Sequence, residues 1–205
     1  MRPRVKICGL TRREDAELAI ALGADAIGLV FWPASPRVVT PEQARDVVRD
    51  LPRHVTRVGV FVNASPSEVA SVVRAVDLDA IQLQGDEALA DYASIAARIV
   101  RAMPLERDED VETAAALPTH VTVLVDAADR ARRGGTGQRA NWTHAATLAR
   151  QRPIMLAGGL SAENVADAVR LVQPWAVDVS SGVEASPGIK DADRMRAFFA
   201  AVEGL

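Results

Sequence analysis

The sequence predicts a single-domain (β/α)8 barrel, an α/β fold, over residues 1–205, and two observations lead to that fold class. First, short apolar runs alternate with longer amphipathic runs along the whole chain, and eight such pairs follow one another. Second, the short runs are continuously apolar, which is typical of strands covered on both faces. Strands separated by helices pair in parallel, and eight strand–helix units close naturally into a barrel.

The predicted strands are the short apolar runs, the first of which is VKIC. They cover residues 5–8, 26–31, 57–62, 80–84, 98–103, 121–126, 153–158 and 176–180. Eight units in 205 residues leave room for short loops only. The chain shows no linker or low-complexity tract at which a second domain would begin.

The predicted helices are the amphipathic runs that follow the strands. They cover residues 13–23, 41–51, 65–76, 87–97, 108–117, 141–151, 161–172 and 191–202. In the first helix, apolar side chains recur at helical spacing. Thr40 before Pro41 and Ser65 before Pro66 each show a capping residue followed by a proline in the first turn. Residues 161–164 give a weaker capping turn.

An open, doubly wound sheet is the alternative fold. Such sheets usually have fewer strands, and a glycine-rich first turn binds a dinucleotide in many of them. The first turn of this chain follows VKICGLT and lacks that glycine pattern. The barrel is therefore the favoured prediction.

The composition excludes several classes of protein. The chain is 49% hydrophobic and 25% charged, as expected of a globular domain with a substantial core. A net charge of −3 gives no sign of a nucleic-acid or membrane-surface partner. No apolar run approaches the roughly 20 residues that span a bilayer, and no apolar signal segment follows the first arginines. A single cysteine cannot form an internal disulfide, so we expect a cytoplasmic protein.

Reactive and polar side chains lie in or just after the last residues of the predicted strands, and in barrels the chemistry lies at these carboxyl ends. The residues so placed are Cys8, Ser35, Arg37, Asn63, Gln82, Gln84, Arg101 and Asp126. They are expected to surround one mouth of the barrel.

Cys8 and Asp126 are the candidates for proton transfer at that mouth. An aspartate ending an apolar strand would be costly in the core, so we expect it to face a polar pocket. A thiol and a carboxylic acid across one pocket can divide the roles of base and acid. The plainer alternatives are a buried hydrophobe for Cys8 and a turn cap for Asp126. The histidines at 54, 120 and 144 precede strands or lie in a helix, so we expect neither a metal centre nor a Cys–His hydrolase.

Two glycine-rich turns follow the last two strands. Gly158 and Gly159 precede a helix, and Ser180, Ser181 and Gly182 follow the final strand. Glycines let the backbone approach a ligand closely, and free N–H groups at a helix start bind anions. Barrels of this class commonly hold a phosphate between these two loops. The alternative is that the glycines merely permit tight turns.

The segment 126–142 is much longer than the other loops. It contains GGTG at 134–137 and arginines at 130, 132 and 133. Its position directly after Asp126 favours a lid over the site, and the alternative is a solvated connection.

Eight short blocks of the sequence are KICGLT (6–11), SPR (35–37), VFVN (60–63), QLQG (82–85), GGTG (134–137), LAGGL (156–160), VDVSSGVE (177–184) and PGIKD (187–191). They resemble the signature blocks of the phosphoribosylanthranilate isomerase family of tryptophan biosynthesis. They occur in family order and span nearly the whole chain, so the set is highly specific.

The resemblance implies an Amadori rearrangement of N-(5-phosphoribosyl)anthranilate that needs no cofactor. It implies that Cys8 is the general base, that Asp126 is the general acid, and that Arg37 faces the anthranilate carboxylate. It further implies that the remaining substrate contacts come from Gln84, Gly158, Gly159, Asp178, Ser180, Ser181 and Gly182. Of these, Gly159, Ser181 and Gly182 would cradle the phosphate.

One departure from the family pattern lies in the fourth strand. The family usually reads QLHG where this chain has QLQG, so Gln84 stands in place of a histidine. A glutamine can form hydrogen bonds but cannot carry a proton, so any acid–base share of that position is absent here.

Two other functions remain open at this point. An isomerase of histidine biosynthesis performs the same chemistry, but it typically has an aspartate in place of Cys8 and a phosphate loop in each half. A non-catalytic phosphoribosyl-ligand sensor is disfavoured by the presence of both Cys8 and Asp126. The expected partner is a phosphoribosyl substrate, and the chain is expected to be a monomer or a homodimer.

Overall fold

The eight predicted strands are all present in the computed structural model, which describes residues 2–127 and 140–205, and they close into a barrel in chain order. They are β1 (Arg4–Ile7), β2 (Ala26–Val30), β3 (Thr56–Phe61), β4 (Ala80–Leu83), β5 (Arg98–Pro104), β6 (Thr122–Asp126), β7 (Ile154–Leu156) and β8 (Ala176–Val179). Every neighbouring pair is parallel, and β8 closes the ring on β1 with Val5 opposite Val177. The (β/α)8 fold class is confirmed.

Seven helices accompany the strands within the described residues. They are α1 (Arg13–Ala21), α2 (Pro41–Val48), α3 (Pro66–Val76), α4 (Asp108–Ala115), α5 (Trp142–Ala149), α6 (Val165–Val172) and α7 (Ala192–Glu203). The predicted caps are confirmed: Thr40 and Ser65 accept from the third backbone N–H of α2 and α3, and both form reciprocal capping boxes.

The helix predicted at 87–97 is wrong. This segment forms only a 3-10 turn at Leu89–Tyr92 before β5 begins. The carboxylate of Glu87 turns inward, where it accepts from the N–H of Asn63 and from Arg101. The Tyr92 hydroxyl donates to the Ala64 carbonyl. These tertiary contacts hold the segment against the ends of β3 and β5 and override its helical periodicity.

Two further details differ from the prediction near the carboxyl end. Helix α6 begins at Val165 rather than at residue 161, because residues 161–164 form a turn in which Asn164 accepts from the N–H of Ser161. A short antiparallel hairpin, β9 (Glu184–Ser186) and β10 (Ile189–Lys190), precedes α7 and was not predicted.

The largest apolar cluster lies between the strands and the helices. Val69, Leu148 and Phe198 from the helices pack there with Ile27 and Ile81 from the strands. Two smaller clusters of side chains, enclosed by the strands, consist mainly of alanine and valine. No described helix is both long and apolar enough to cross a membrane.

Candidate active site

Successive side chains of a strand point alternately toward the helices and into the barrel, and the polar side chains of these strands point into the barrel. Val5 and Ile7 of β1 pack toward the helices, as do Val177 and Val179 of β8. Because neighbouring side chains in a strand face opposite sides, the residues between them face the barrel interior. The same rule applies to β4 and β6. The inward residues are Lys6, Cys8, Gln82, Gln84, Asp126 and Asp178.

Cys8 lies directly after β1 and is held there by its backbone N–H, which donates to the Val179 carbonyl at 2.8 Å. Its side chain is buried against Val30, Val60 and the half-buried ring of Trp32. Burial raises the pKa of the Cys8 thiol, while Lys6 opposes that increase. At rest the sulfur therefore carries its proton more tightly than a free thiol does.

Lys6 lies beneath Cys8 and is 1% exposed. Its ammonium donates to Asp178 Oδ1 at 2.9 Å, so two side chains from the adjacent strands β1 and β8 form an ion pair inside the barrel. Burial opposes the charge on Lys6, but Asp178 and Cys8 outweigh it and raise the pKa of the amine. The buried lysine is therefore charged. Asp178 was predicted as a substrate contact, and one of its carboxylate oxygens accepts the hydrogen bond from this lysine.

Gly28 of β2 provides the space for this group. A Cβ at this position would lie 2.7 Å from the Cys8 sulfur and 3.1 Å from the Lys6 nitrogen. Both atoms therefore approach the same point on the backbone of β2. Only a glycine fits there without displacing one of them.

Asp126 is the last residue of β6 and belongs to a chain of hydrogen bonds. Its Oδ1 accepts from the N–H of Ala127, and its Oδ2 accepts from Gln84 Nε2 at 2.8 Å. Gln82 donates in turn to Gln84 Oε1. Burial raises the pKa of Asp126 to about 6, although these two donors oppose the increase. The carboxyl group is thus poised to hold or release a proton near neutral pH.

Arg37 is buried, and its guanidinium makes a two-point contact with Glu184, from Nε at 2.8 Å and Nη2 at 2.7 Å. Glu184 also accepts from Lys190 at 2.9 Å, and Lys190 donates to the carbonyl oxygens of Cys8 and Ser180. The guanidinium of Arg37, which was expected to bind a substrate carboxylate, thus already binds the carboxylate of Glu184. Two of the five N–H donors of an arginine are used, which leaves three.

Gly9, the residue after Cys8, permits the approach of Arg37. Its φ is +73°, and a Cβ there would lie 2.5 Å from Arg37 Cδ. The positive φ and the close contact both require glycine. The order cysteine–glycine therefore places the thiol beside the guanidinium.

The two glycine-rich turns are in direct contact. Gly158 and Gly159 both have positive φ values, +78° and +63°. A Cβ on Gly182 would overlap the Leu160 carbonyl oxygen, so the backbone after β8 lies against the turn after β7. Within residues 2–127 and 140–205, the N–H of Gly159 has no hydrogen-bond acceptor. The turns expected to hold a phosphate are thus brought together by the fold.

Asn63 and Arg101 support loops rather than facing the mouth freely. Arg101 binds Glu87 at 3.0 Å, and Glu87 binds the N–H of Asn63. The Asn63 side chain accepts from the N–H of Asp86. The predicted lid, including GGTG at 134–137 and the arginines at 130, 132 and 133, lies outside the described residues. The described part of the chain holds no cluster of three metal-ligating side chains.

Comparisons with known proteins identify the family to which this chain belongs. Residues 5–201 match the family model described as N-(5'phosphoribosyl)anthranilate (PRA) isomerase. The chain is 49% identical over 200 residues to the N-(5'-phosphoribosyl)anthranilate isomerase of Pseudomonas aeruginosa PAO1, covering 97% of this chain and 94% of that one. The chain belongs to the N-(5'-phosphoribosyl)anthranilate isomerase family.

Solved structures of phosphoribosylanthranilate isomerases show the same fold. The enzyme from Thermotoga maritima matches with a TM-score of 0.90 and 40% identity over 99% of this chain and 100% of that one. Another, solved with reduced 1-(o-carboxyphenylamino)-1-deoxyribulose 5-phosphate, matches with a TM-score of 0.87 and 40% identity over the same shares. The expectation of an isomerase of tryptophan biosynthesis is confirmed.

Three residues around the proposed phosphoribosylanthranilate isomerase centre were missed by sequence reasoning: Lys6, Gly28 and Glu184. A signal for Lys6 was available. A lysine within an apolar strand needs a buried partner, and Asp178 is the matching acid within the strand that closes the barrel onto β1. Glu184 pairs with a residue 147 positions away, so no local pattern indicates it.

Proposed function

We propose that the isomerisation proceeds by general acid–base catalysis with Asp126 as acid and Cys8 as base. The observation that carries the proposal is the environment of Asp126. This carboxyl group ends β6 at the mouth of the barrel, and burial raises its pKa to about 6. Roughly a tenth of the molecules therefore carry this proton at pH 7, far more than for an aspartate with the ordinary pKa of about 3.9, as a proton donor requires.

In the first step, Asp126 gives its proton to the furanose ring oxygen. The bond between that oxygen and C1′ breaks, and the nitrogen lone pair forms the C1′=N bond of a Schiff base. The thiolate of Cys8 then removes the proton from C2′. The electron pair of the C2′–H bond forms a C1′=C2′ bond, and the π electrons of the C1′=N bond return to the nitrogen. The product is an enolamine that tautomerises to the ketone.

The substrate contacts belong to the same proposal. The nitrogen donors of Arg37 that Glu184 leaves free face the anthranilate carboxylate. The phosphate lies between the turns that carry Gly158, Gly159 and Ser180–Gly182. A positive-φ backbone suits an anion there, as does the N–H of Gly159, which has no acceptor among the described residues. Gln84 positions Asp126, and the second oxygen of Asp178 is available for a substrate hydroxyl. We further propose a cytoplasmic location, and either a monomer or a homodimer.

The test is steady-state kinetics on Cys8→Ala, Cys8→Ser and Asp126→Asn, followed by the fluorescence decay of freshly made phosphoribosylanthranilate. Each variant is expected to lose about 10²–10⁴-fold in kcat, with a much smaller change in KM. Cys8→Ser is expected to be almost as slow as Cys8→Ala, because a serine hydroxyl loses its proton far less readily than a thiol.

Thermal melts of the same variants separate chemistry from stability, and the histidine-pathway substrate is run in parallel as a specificity control. A structural cysteine would give the opposite pattern, with altered melting temperatures and nearly normal turnover. Full kcat in Cys8→Ala would end the proposed role of the thiol.

A further inference from the structure

The chain has only two lysines, Lys6 and Lys190, and both are buried. All other positive side chains are arginines, which number 22. Lysine differs from arginine in having a compact charge that fits beside a single atom. Both lysines lie next to Cys8: Lys190 bonds its backbone carbonyl, and Lys6 lies beside its sulfur.

The Lys6 ammonium and the Cys8 sulfur lie within 2.7–3.1 Å of one point, the position that a Cβ on Gly28 would take. At this separation the ammonium favours the thiolate form of Cys8 and opposes the increase that burial causes in the thiol pKa. The ammonium cannot swing away, because Asp178 Oδ1 accepts from it at 2.9 Å and the side chain is enclosed by the barrel.

We propose that Lys6 is a positioning residue that stabilises the thiolate of Cys8, and that Asp178 fixes the ammonium beneath the sulfur. The inference rests on the proposed role of Cys8 as the base, and it adds the group whose charge favours the thiolate form of that base. Lys6 exchanges no proton with the substrate. It acts only through the charge that it places against the sulfur.

Other charges around Cys8 cannot replace this one. Lys190 is directed at carbonyl oxygens and at Glu184, and the Arg37 guanidinium is likewise paired with Glu184. Asp178 acts against the thiolate, because a carboxylate disfavours a second negative charge nearby. The thiol pKa is therefore lowered mainly by Lys6, with a smaller contribution from Lys190, and it is raised by burial and by Asp178.

The experiment measures the thiol pKa in substrate-free protein. Cys8 is the only cysteine, so selective 13C labelling gives one Cβ resonance whose shift follows the titration. Lys6→Met keeps the length of the side chain and removes its charge, and it is expected to raise the thiol pKa. Asp178→Asn is expected to shift the thiol pKa in the opposite direction. Arg98→Met removes a positive charge at the other end of the barrel and is expected to leave the thiol pKa unchanged.

The kinetic readout follows from the same shift. In Lys6→Met, kcat near neutral pH is expected to fall at least about tenfold. The pH profile of kcat is expected to shift to higher pH, so that raising the pH restores part of the lost activity. A thiol pKa that does not rise in folded Lys6→Met would overturn the proposal.

Removing one member of a buried ion pair can prevent folding, whereas removing both is often tolerated. The double variant Lys6→Met/Asp178→Asn decides the question in that case, and its thiol pKa is expected to exceed that of the wild type. A value at or below the wild-type one would overturn the proposal. Failure of the proposed function is separate: it would appear as normal turnover in Cys8→Ala, whatever the thiol pKa.

Discussion

Gly28→Ala is the substitution that most directly tests how closely the site is packed. The added Cβ would lie 2.7 Å from the Cys8 sulfur, whereas ordinary contact begins at 3.4 Å. The sulfur or the backbone of β2 must therefore move by at least about 0.7 Å. The Cβ would also lie 3.1 Å from the Lys6 nitrogen, so the sulfur cannot simply move toward the lysine.

Two consequences are expected. Overpacking a core position costs about 1–3 kcal/mol, which lowers the melting temperature of a chain this long by about 2–4 °C per kcal/mol. A misplacement of about 1 Å at a catalytic group can cost 10²-fold in rate. We therefore expect kcat to fall about 10- to 100-fold, measured by the fluorescence decay of the substrate under saturating conditions.

Gly59→Ala is the matched control. Gly59 lies in β3, beside Leu29 of β2, and a Cβ there would meet Leu78 at 2.6 Å and Phe61 at 2.8 Å on the outer side of the barrel. It should destabilise the protein to a similar extent with near-normal kcat. Equal kcat losses in the two variants, or full activity in Gly28→Ala, would refute the assignment of a reacting sulfur beside Gly28.

Three further predictions follow from the site. The pKa of Asp126 rises from about 3.8 to about 6 on folding, so its contribution to stability is complete below pH 4 and is lost as the pH rises through 6. Asp126→Asn should therefore be more stable than the wild type at pH 7–8, by roughly 2–3 kcal/mol. In thermal melts near pH 4 this gain in stability should vanish. Gly159→Asp should raise KM sharply and weaken competition by inorganic phosphate, whereas Gly159→Asn, which tolerates the same φ of +63° without the charge, should do so much less; equal KM values in the two would exclude charge repulsion. Activity should survive exhaustive dialysis against a chelator, because the proposed proton transfers require no metal, and restoration by one specific metal after loss would contradict that mechanism.

The fold could be predicted because its signals are local and repeated. Continuously apolar runs mark strands buried on both faces, and their alternation with amphipathic runs dictates parallel pairing. The same rule places Cys8 and Asp126 at one end of the barrel, because both lie at the carboxyl ends of their strands. The failure at 87–97 is of a different kind: the periodicity was helical, but Glu87 and Tyr92 bind residues of other loops.

The interior of the site was less accessible to sequence reasoning. The Arg37–Glu184 contact joins a loop after β2 to the hairpin after β8, and no spacing rule connects them. Gly28 looks like any strand glycine until the sulfur and the ammonium are seen against it. Lys6 and Asp178, by contrast, could have been paired, since each is a lone charge within an apolar strand and the two strands are neighbours in a closed barrel.

Burial has opposite consequences for the two groups proposed to transfer protons. It raises the pKa of Asp126 to about 6, which favours an acid that must hold a proton until the ring oxygen needs it. It also raises the pKa of Cys8, which opposes a base that must first lose its proton. The same exclusion of water cannot serve both groups unaided. Within residues 2–127 and 140–205, the donors to Asp126 are the neutral groups Gln84 and Ala127, whereas Lys6 lies beside the Cys8 sulfur. In the mechanism proposed above, this fixed positive charge resolves the conflict.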